Sequence, residues 1–383
     1  MTYMQCPVYK KCGGCQLQNM DYPAQLEWKQ RLCVKLLGGF GQVEKIIGMD
    51  NPYHYRNKVQ WAFSQDRNKK IISGVYQSST HRIVPVESCM TEDEKADEII
   101  VSVGKLMKAF KLAVYNEVTG RGFLRHVLVK RGFSTGEIMV VLVTGTPVFT
   151  AKNHFIRELL KLHPDITTVV MNVNDKFTSL VLGKNEKTLY GPGYIVDELC
   201  GLRFRISAKS FYQINPVQTH VLYNKAMEYA GLTGDETVID AYCGIGTIGM
   251  VAAKHAGNVI GVEVNPDAVK DAISNARLNG MNNIRFYKAD AGEFMVAMAE
   301  ENEKCDVVFM DPPRAGSDEN FLKSLCTLAP GRVVYISCNP ETLGRDLKYL
   351  SSHGYKVKKI QPVDMFPMTN HVETVVLMSR VKD

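Results

Sequence analysis

The chain has 383 residues, of which 45% are hydrophobic and 22% are charged, and its formal net charge is +6. This length allows two or three domains with a sizeable core, and the composition excludes a disordered or fibrous chain. No apolar run has the length of a transmembrane helix, and the N-terminus lacks the apolar core of a signal peptide. We therefore expect a cytoplasmic protein without a membrane partner, whose modest positive charge suits a polyanion.

Three cysteines, Cys6, Cys12 and Cys15, lie close together at the start of the sequence. In a cytoplasmic chain such a cluster indicates metal binding or catalysis rather than disulfides. Zinc sites usually add a second cysteine pair or histidines, whereas three clustered thiols with one distant thiol suit a four-thiolate iron–sulfur cluster. Cys89 is the best distant candidate. Unconnected free thiols are the alternative.

Residues 49–204 are predicted to form a β-rich domain, after a segment over 1–48 that combines the cysteine loop with a helix. The strand-like segments are 59–63, 71–76, 124–131, 138–143 and 167–172. Basic residues interleave with aromatic ones here, a combination that suits phosphate contact and base stacking. These basic residues are Arg56, Lys58, Arg82, Arg121, Arg125, His126, Lys130 and Arg131. A solvated face without a ligand is the alternative.

From residue 205 the pattern alternates between strands and helices, which predicts a doubly wound α/β domain with seven strands over 205–383. Its first strand ends in a glycine turn that lets a ligand approach the backbone at a helix N-terminus. Glu263 ends the second strand, where an acid can take ribose hydroxyls, so NAD is one interpretation. The turn lacks the packing typical of a pyrophosphate site, and Asp290 closes the third strand, which favours S-adenosylmethionine. A plain cap explains Asp290 equally well.

Two later strands end in reactive groups that a proline follows. The strand at 307–310 leads into Asp311, and the strand at 333–336 leads into Cys338. Because chemistry in an open α/β sheet collects beyond the carboxyl ends of its strands, we expect both at one site, with Cys338 as a nucleophile. A strand-end cysteine that is simply a small buried hydrophobe is the alternative.

In combination, these motifs resemble the RNA 5-methyluridine methyltransferases, especially their bacterial ribosomal-RNA branch, over nearly the whole chain. They comprise the four cysteines above together with 55–58, 124–126, 210–215, 240–246, 311–314, 337–340 and 371–373. The resemblance implies a [4Fe–4S] cluster on Cys6, Cys12, Cys15 and Cys89. It implies S-adenosylmethionine contacts from Gln213, Tyr242, Glu263 and Asp311, with Asp290 as a further candidate. It also implies Cys338 as nucleophile and Glu373 as proton acceptor. The N-terminal RNA-binding barrel of many relatives is expected to be missing, because Cys6 lies almost at the start.

The implied reaction is methylation of C5 of a specific uridine, in 23S ribosomal RNA or alternatively in transfer RNA, by a monomer. A thiolate that adds to C6 of uracil makes C5 nucleophilic toward the sulfonium methyl, and a carboxylate then removes the C5 proton. The site should therefore lower the thiol pKa from about 8.5, with the adjacent sulfonium cation and Arg314 as contributors. The target base has to be looped or flipped out. A nicotinamide-dependent oxidoreductase and an inactive iron–sulfur RNA-binding protein are the rival classes.

Overall fold

The computed structural model describes residues 6–78, 80 and 82–381, which fall into two compact units. The first unit contains the described parts of Met1–Asn19 and Asn51–Glu198, and Arg205–Lys209. The second unit contains Met20–Asp50, Leu199–Phe204 and the described part of Ser210–Asp383. Over the described ranges, no helix is long and apolar enough to cross a membrane.

Helices and strands are numbered in chain order. The helices are α1 (Tyr9–Cys12), α2 (Tyr22–Leu37), α3 (Glu94–Ala109), α4 (Lys152–Leu162), α5 (Pro216–Ala230), α6 (Thr247–Ala253), α7 (Pro266–Leu278), α8 (Ala291–Glu300), α9 (Glu319–Leu328) and α10 (Pro340–Ser352). The strands are β1 (Lys58–Gln65), β2 (Ile71–Tyr76), β3 (Ile83–Pro85), β4 (Leu124–Arg131), β5 (Ile138–Thr144), β6 (Ile166–Val173), β7 (Asn185–Tyr190), β8 (Ile195–Leu199), β9 (Leu202–Ile206), β10 (Thr237–Ala241), β11 (Asn258–Glu263), β12 (Ile284–Lys288), β13 (Val307–Met310), β14 (Arg332–Ser337), β15 (Tyr355–Val363) and β16 (Glu373–Arg380).

The first unit is built on a seven-stranded sheet with the order β3-β2-β1-β4-β5-β6-β7. Its neighbours are antiparallel except β5 and β6, which are parallel because the chain crosses over between them through α4. Apolar side chains of α3 and α4 pack with those of the strands around Trp61, which is fully buried. All five predicted strands are confirmed, as β1, β2, β4, β5 and β6, whereas α3, α4, β3 and β7 were not predicted.

The second unit holds a seven-stranded sheet with the order β12-β11-β10-β13-β14-β16-β15. The strands from β10 to β14 run parallel, and β16 is antiparallel to both of its neighbours, so the sheet is mixed. Helices α8, α9 and α10 pack their apolar faces against it in one buried cluster. The predicted seven-stranded α/β domain is confirmed.

The predicted segment 1–48 is divided between the two units. Helix α2 buries Gln25, Lys29, Cys33 and Leu37, which recur every four residues and so form one stripe. Leu37 belongs to the buried cluster of the second unit, and α2 also contacts β15 and α10. Lys29 forms a buried ion pair with Asp364, and Gln25 accepts a hydrogen bond from the N–H of Met368 at 2.8 Å. Because these partners lie in the second unit, α2 is part of that unit although the thiols before it lie in the first.

Candidate active site and cysteine cluster

Side chains that the sequence predicted as site residues lie at the carboxyl edge of the second unit's sheet. The strands β10, β11, β13 and β14 are parallel, so their carboxyl ends share this edge. Glu263 is the last residue of β11, Asp311 follows β13, and Cys338 follows β14. The strand order reverses between β10 and β13, and open α/β sheets bind their ligands at such a switch point.

Glu373 reaches the same edge from an antiparallel strand. It begins β16, whose pairing with β14 sets Ser337 opposite Thr374. One residue further along this antiparallel register, Cys338 lies opposite Glu373. Glu373 is 6% exposed and Cys338 is partly buried. The nucleophile and proton acceptor implied by the sequence are therefore neighbours.

Burial and charge set the protonation states at this edge. Burial, to which the carboxylates of Glu373 and Asp311 add, raises the pKa of the Cys338 thiol to about 11. Burial also raises the pKa of Glu373 to about 8 and that of Asp311 to about 7. The positive charge of the Arg314 guanidinium acts in the opposite direction and lowers the pKa of both Cys338 and Glu373. The protein alone thus raises the thiol pKa that we expected to be lowered, although Arg314 acts in the expected direction.

The turn after β10 allows close approach to the backbone. Gly246 has a φ of +84°, and a Cβ there would lie 2.7 Å from the ring of Phe286, so glycine is required. The Glu263 carboxylate braces the turn, because it accepts hydrogen bonds from the N–H groups of Gly244 at 3.0 Å and Asn265 at 2.8 Å. A nucleoside bound at this edge would meet the turn and Glu263 together.

The remaining residues predicted to contact the cofactor are Gln213, Tyr242 and Asp290. Tyr242 has a positive φ of +65°, and its ring packs against Phe321 with the centroids 5.0 Å apart. Gln213 precedes α5 and is partly buried, and its side chain bonds to none of the residues that the structure describes. Asp290 is the N-cap of α8 and accepts hydrogen bonds from two backbone N–H groups at 2.9 and 3.1 Å. Asp290 therefore caps α8, and its predicted contact with the cofactor stays a prediction.

Asp240, inside β10, was named in the sequence only as part of a motif. It is 1% exposed and accepts a hydrogen bond from the N–H of Gly249 at 2.7 Å. Burial, to which the carboxylates of Asp311 and Glu263 add, raises its pKa to about 8. Asp240 therefore bonds the first turn of α6 and also lies within the electrostatic influence of the acids at the strand ends, Asp311 and Glu263. An acid within an apolar strand is the sequence signal that identifies it.

The four cysteines predicted to bind one iron–sulfur cluster lie together in the first unit. Cys6, Cys12, Cys15 and Cys89 all line one cavity of about 310 Å³. Burial raises the pKa of Cys12, that of Cys15 to about 11 and that of Cys89 to about 12. Among the described residues, no three His, Cys, Asp or Glu side chains are placed to hold one metal ion. Cys12, Cys15 and Cys89 are therefore protonated at neutral pH in the protein alone.

The model of the tRNA (uracil-5-)-methyltransferase family matches residues 21–381. The chain belongs to this family. An RNA methyltransferase of Halalkalibacterium halodurans, whose function is uncharacterized, is 46% identical over 378 residues, which cover 97% of this chain and 82% of the relative. A similar protein of Clostridium acetobutylicum is 43% identical over 383 residues, with 98% and 83% covered.

Among solved structures, the tRNA (uracil-54, C5)-methyltransferase of Pyrococcus abyssi, in complex with S-adenosyl-L-homocysteine, has a TM-score of 0.81 at 30% identity. The match covers 95% of this chain and 85% of that chain. This member of the uracil-5-methyltransferase family is thus an RNA methyltransferase that depends on S-adenosylmethionine, which excludes the oxidoreductase and the inactive binding protein as classes.

Arg125 and Lys130, two basic residues predicted to contact RNA, are buried in the first unit of this methyltransferase and bind partners there. Arg125 is 3% exposed, donates to two backbone carbonyls and pairs with Glu117 at 3.1 Å. Lys130 is 5% exposed and donates to a backbone carbonyl at 2.8 Å. The prediction that these two residues contact RNA is therefore wrong. Burial also lowers the pKa of His126 to about 4, so this residue is neutral at pH 7. The exposed members of the predicted set are Lys58, Arg82 and Arg121.

Asp346, which was not predicted from the sequence, holds the loop that carries Arg314. Asp346 is fully buried on the inner stripe of α10 and accepts hydrogen bonds from the Tyr335 hydroxyl at 2.7 Å and the Ser317 N–H at 2.9 Å. It thereby fixes the end of the segment that follows Asp311. An acid on the leucine stripe of an amphipathic helix is the signal that could have identified it.

Proposed function

We propose that this methyltransferase methylates C5 of a uridine in RNA, with Cys338 as the nucleophile and Glu373 as the proton acceptor. The observation that carries the proposal is the pairing of β14 with β16, which sets these two residues side by side at the ligand edge of the sheet. S-adenosylmethionine, when bound there, supplies an electrophilic methyl group. The residues that would hold it are Gln213, Tyr242, Glu263, Asp290 and Asp311.

The first task of the site is to ionise Cys338. With a thiol pKa of about 11, forming the thiolate at pH 7 costs about 5 kcal/mol. A cation beside the sulfur reduces this cost, and Arg314 is the cation that lowers the pKa of the thiol in the protein itself. The thiolate then adds to C6 of the uracil ring, and the electron pair released from the C5–C6 double bond makes C5 a nucleophile.

When C5 bonds to the methyl group, the bond between the methyl carbon and the sulfonium sulfur would break, and its electron pair would stay on the sulfur of the departing S-adenosylhomocysteine. The second task of the site is then to remove the C5 proton. Glu373 takes this proton, the C5–C6 double bond reforms, and the C6–S bond breaks to release the Cys338 thiolate. Since burial raises the pKa of Glu373 to about 8, the carboxylate becomes available as an acceptor when the pH rises toward and above 8. The rate of methylation should therefore increase with pH across this range.

The test separates the two roles by variants. Cys338→Ala should abolish both 5-methyluridine and any covalent RNA adduct, because no sulfur attacks C6. Glu373→Gln should still permit attack and methyl transfer, and should then stall as protein covalently bound to methylated RNA. The adduct is measured as a band that survives denaturing electrophoresis.

RNA that carries 5-fluorouridine is the positive control, because fluorine cannot leave as a proton does, so the unaltered enzyme should stall on it. Slow turnover of Glu373→Gln without an adduct would reduce Glu373 to a positioning residue. Adducts that persist in Cys338→Ala would point to another thiol, and Cys243, 5% exposed beside the glycine turn, is the first to examine.

We propose 23S ribosomal RNA as the substrate, with transfer RNA as the second candidate. The second candidate is favoured by the similarity to the Pyrococcus abyssi enzyme, which acts on uracil-54 of tRNA. Both RNA classes from a deletion strain should be incubated with the enzyme, and 5-methyluridine in each measured by mass spectrometry. Product in ribosomal RNA alone supports the first substrate, and product in transfer RNA alone replaces it with the second.

We also propose that Cys6, Cys12, Cys15 and Cys89 hold a [4Fe–4S] cluster with a structural role. The residues fit the cluster, because all four thiols line one cavity and an iron cluster binds each thiolate through a different iron atom. A single zinc ion would instead need its thiolates at about 2.3 Å. When bound, the cluster supplies a cross-link between the N-terminal loop and the segment before α3.

Protein purified without oxygen should contain about four iron atoms per chain. Cys89→Ala should lower the iron content, whereas Cys200→Ala, a change of a partly buried cysteine outside the cavity, should leave it unchanged. Iron near zero after anaerobic reconstitution, or full iron in Cys89→Ala, would contradict the assignment of four ligands.

A further inference from the structure

Two loops of the first unit expose large apolar side chains. The first loop, 116–121, precedes β4, and the second, 174–184, joins β6 to β7. Val118 on the first loop is 90% exposed, and Phe177 and Leu180 on the second are each 71% exposed. Exposed apolar side chains that are grouped rather than scattered mark an interaction surface.

The second loop is held in shape from within by buried asparagines. Asn174 donates to the carbonyls of Leu180 at 2.7 Å and Val181 at 3.0 Å. Asn172 accepts from the N–H of Gly183 at 2.6 Å and donates to its carbonyl at 3.1 Å. These hydrogen bonds fix the backbone of the loop from its inner side. The conformation of the loop therefore holds Phe177 and Leu180 in their exposed positions.

Arg125 joins the two loops. Its guanidinium donates to the carbonyls of Asn174 and Lys176, each at 2.8 Å, and to both carboxylate oxygens of Glu117 at 3.1 Å. The ring of Phe177 lies against the first loop, since a Cβ on Gly120 would stand 2.8 Å from it. The two loops therefore present one preorganised surface rather than two independent tips.

The charges on this surface match a polyanion. Arg121 and Lys176 are exposed on the two loops, and the acid of the first loop, Glu117, is neutralised by Arg125. Asp175 is the exposed acid that remains on the second loop. Exposed aromatic rings beside cations bind single-stranded nucleic acid, in which unpaired bases stack on the ring and phosphates meet the cations.

We propose that loops 116–121 and 174–184 form an RNA-contact surface, on which Phe177 stacks against an unpaired base and Arg121 and Lys176 contact phosphates. This inference rests on the proposed function and adds a contact surface outside the active site. In this proposal Arg125 does not contact RNA itself. It stabilises the surface by joining the two loops.

The test uses the full-length enzyme and ribosomal and transfer RNA from a deletion strain. Phe177→Ala should raise the Kd and the KM for RNA about five- to a hundredfold with kcat unchanged, because one stacked base is lost. Phe177→Trp should keep the affinity, and its fluorescence should be quenched by RNA. Phe133→Ala is the matched control, since Phe133 is 60% exposed on another turn of the same unit.

The joint replacement Arg121→Ala and Lys176→Ala should make the slope of log affinity against log salt shallower by about 1.4, or 0.7 for each lost phosphate contact. An unchanged Kd and KM in Phe177→Ala, or an equal loss in Phe133→Ala, overturns the inference while methylation by the unaltered enzyme leaves the proposed function standing. Absence of 5-methyluridine in every RNA offered to the unaltered enzyme would instead overturn the proposed function.

Discussion

Charged neighbours set the reactivity of Cys338. Glu373 raises the pKa of this thiol when its carboxylate is ionised, so Glu373→Gln should lower that pKa. Because the pKa of Glu373 is itself about 8, the difference should be small at pH 7 and largest at pH 9, where alkylation of Cys338 should be roughly threefold to tenfold faster in the variant. The measurement is iodoacetamide labelling of the Cys338 peptide by mass spectrometry, in protein free of cofactor.

Arg314→Gln supplies the control of opposite sign for this experiment. The Arg314 guanidinium lowers the pKa of Cys338, so its removal should slow alkylation at every pH. Equal labelling of the two variants would mean that burial alone sets the thiol pKa.

The positions of Cys338 and Asp311 could be predicted from the sequence because a strand end is a local pattern. Their pKa values could not be predicted, because burial raises both and the carboxylates of Glu373 and Asp311 add to the rise at Cys338.

Helix starts show how much of each element could be predicted. Helix α10 begins at Asn339 and Pro340, which the sequence identified only as the stop of β14. The Asn339 side chain accepts from the N–H of Glu341 at 3.1 Å and donates to the carbonyl of Arg314 at 3.2 Å. The same cap followed by proline begins α5 and α7, so this dipeptide is a helix start as well as a strand stop.

Helix α3 was missed because its local composition competes with its period. Residues 99–103 are rich in β-branched side chains, which favour a strand. The side chains that the helix buries, among them Ile99, Ile100, Val103 and Met107, follow the helical spacing instead. They fill the cluster around Trp61, so tertiary packing overrides the local preference.

At the scale of the whole molecule, the second unit is assembled from segments that are far apart in the chain. Lys29 on α2 and Asp364 on the loop after β15 are separated by 335 residues, and their side chains form an ion pair at 2.6 Å with no exposure. Tyr22 donates to the other oxygen of Asp364 at 2.9 Å. Single-sequence patterns carry no signal for such pairing, which is why the predicted boundary at residue 48 missed it.

This buried pair should be essential to the second unit, because the loop that it anchors leads to Glu373. Lys29→Ala leaves the Asp364 carboxylate buried without its cation, and should lower the free energy of unfolding by about 3–5 kcal/mol. Combining Lys29→Met with Asp364→Asn removes both charges at similar volume, keeps an acceptor for Tyr22 and should recover most of this loss. Denaturant unfolding of the three proteins measures the effect, and a loss below about 1 kcal/mol in Lys29→Ala would show that water or another cation reaches Asp364.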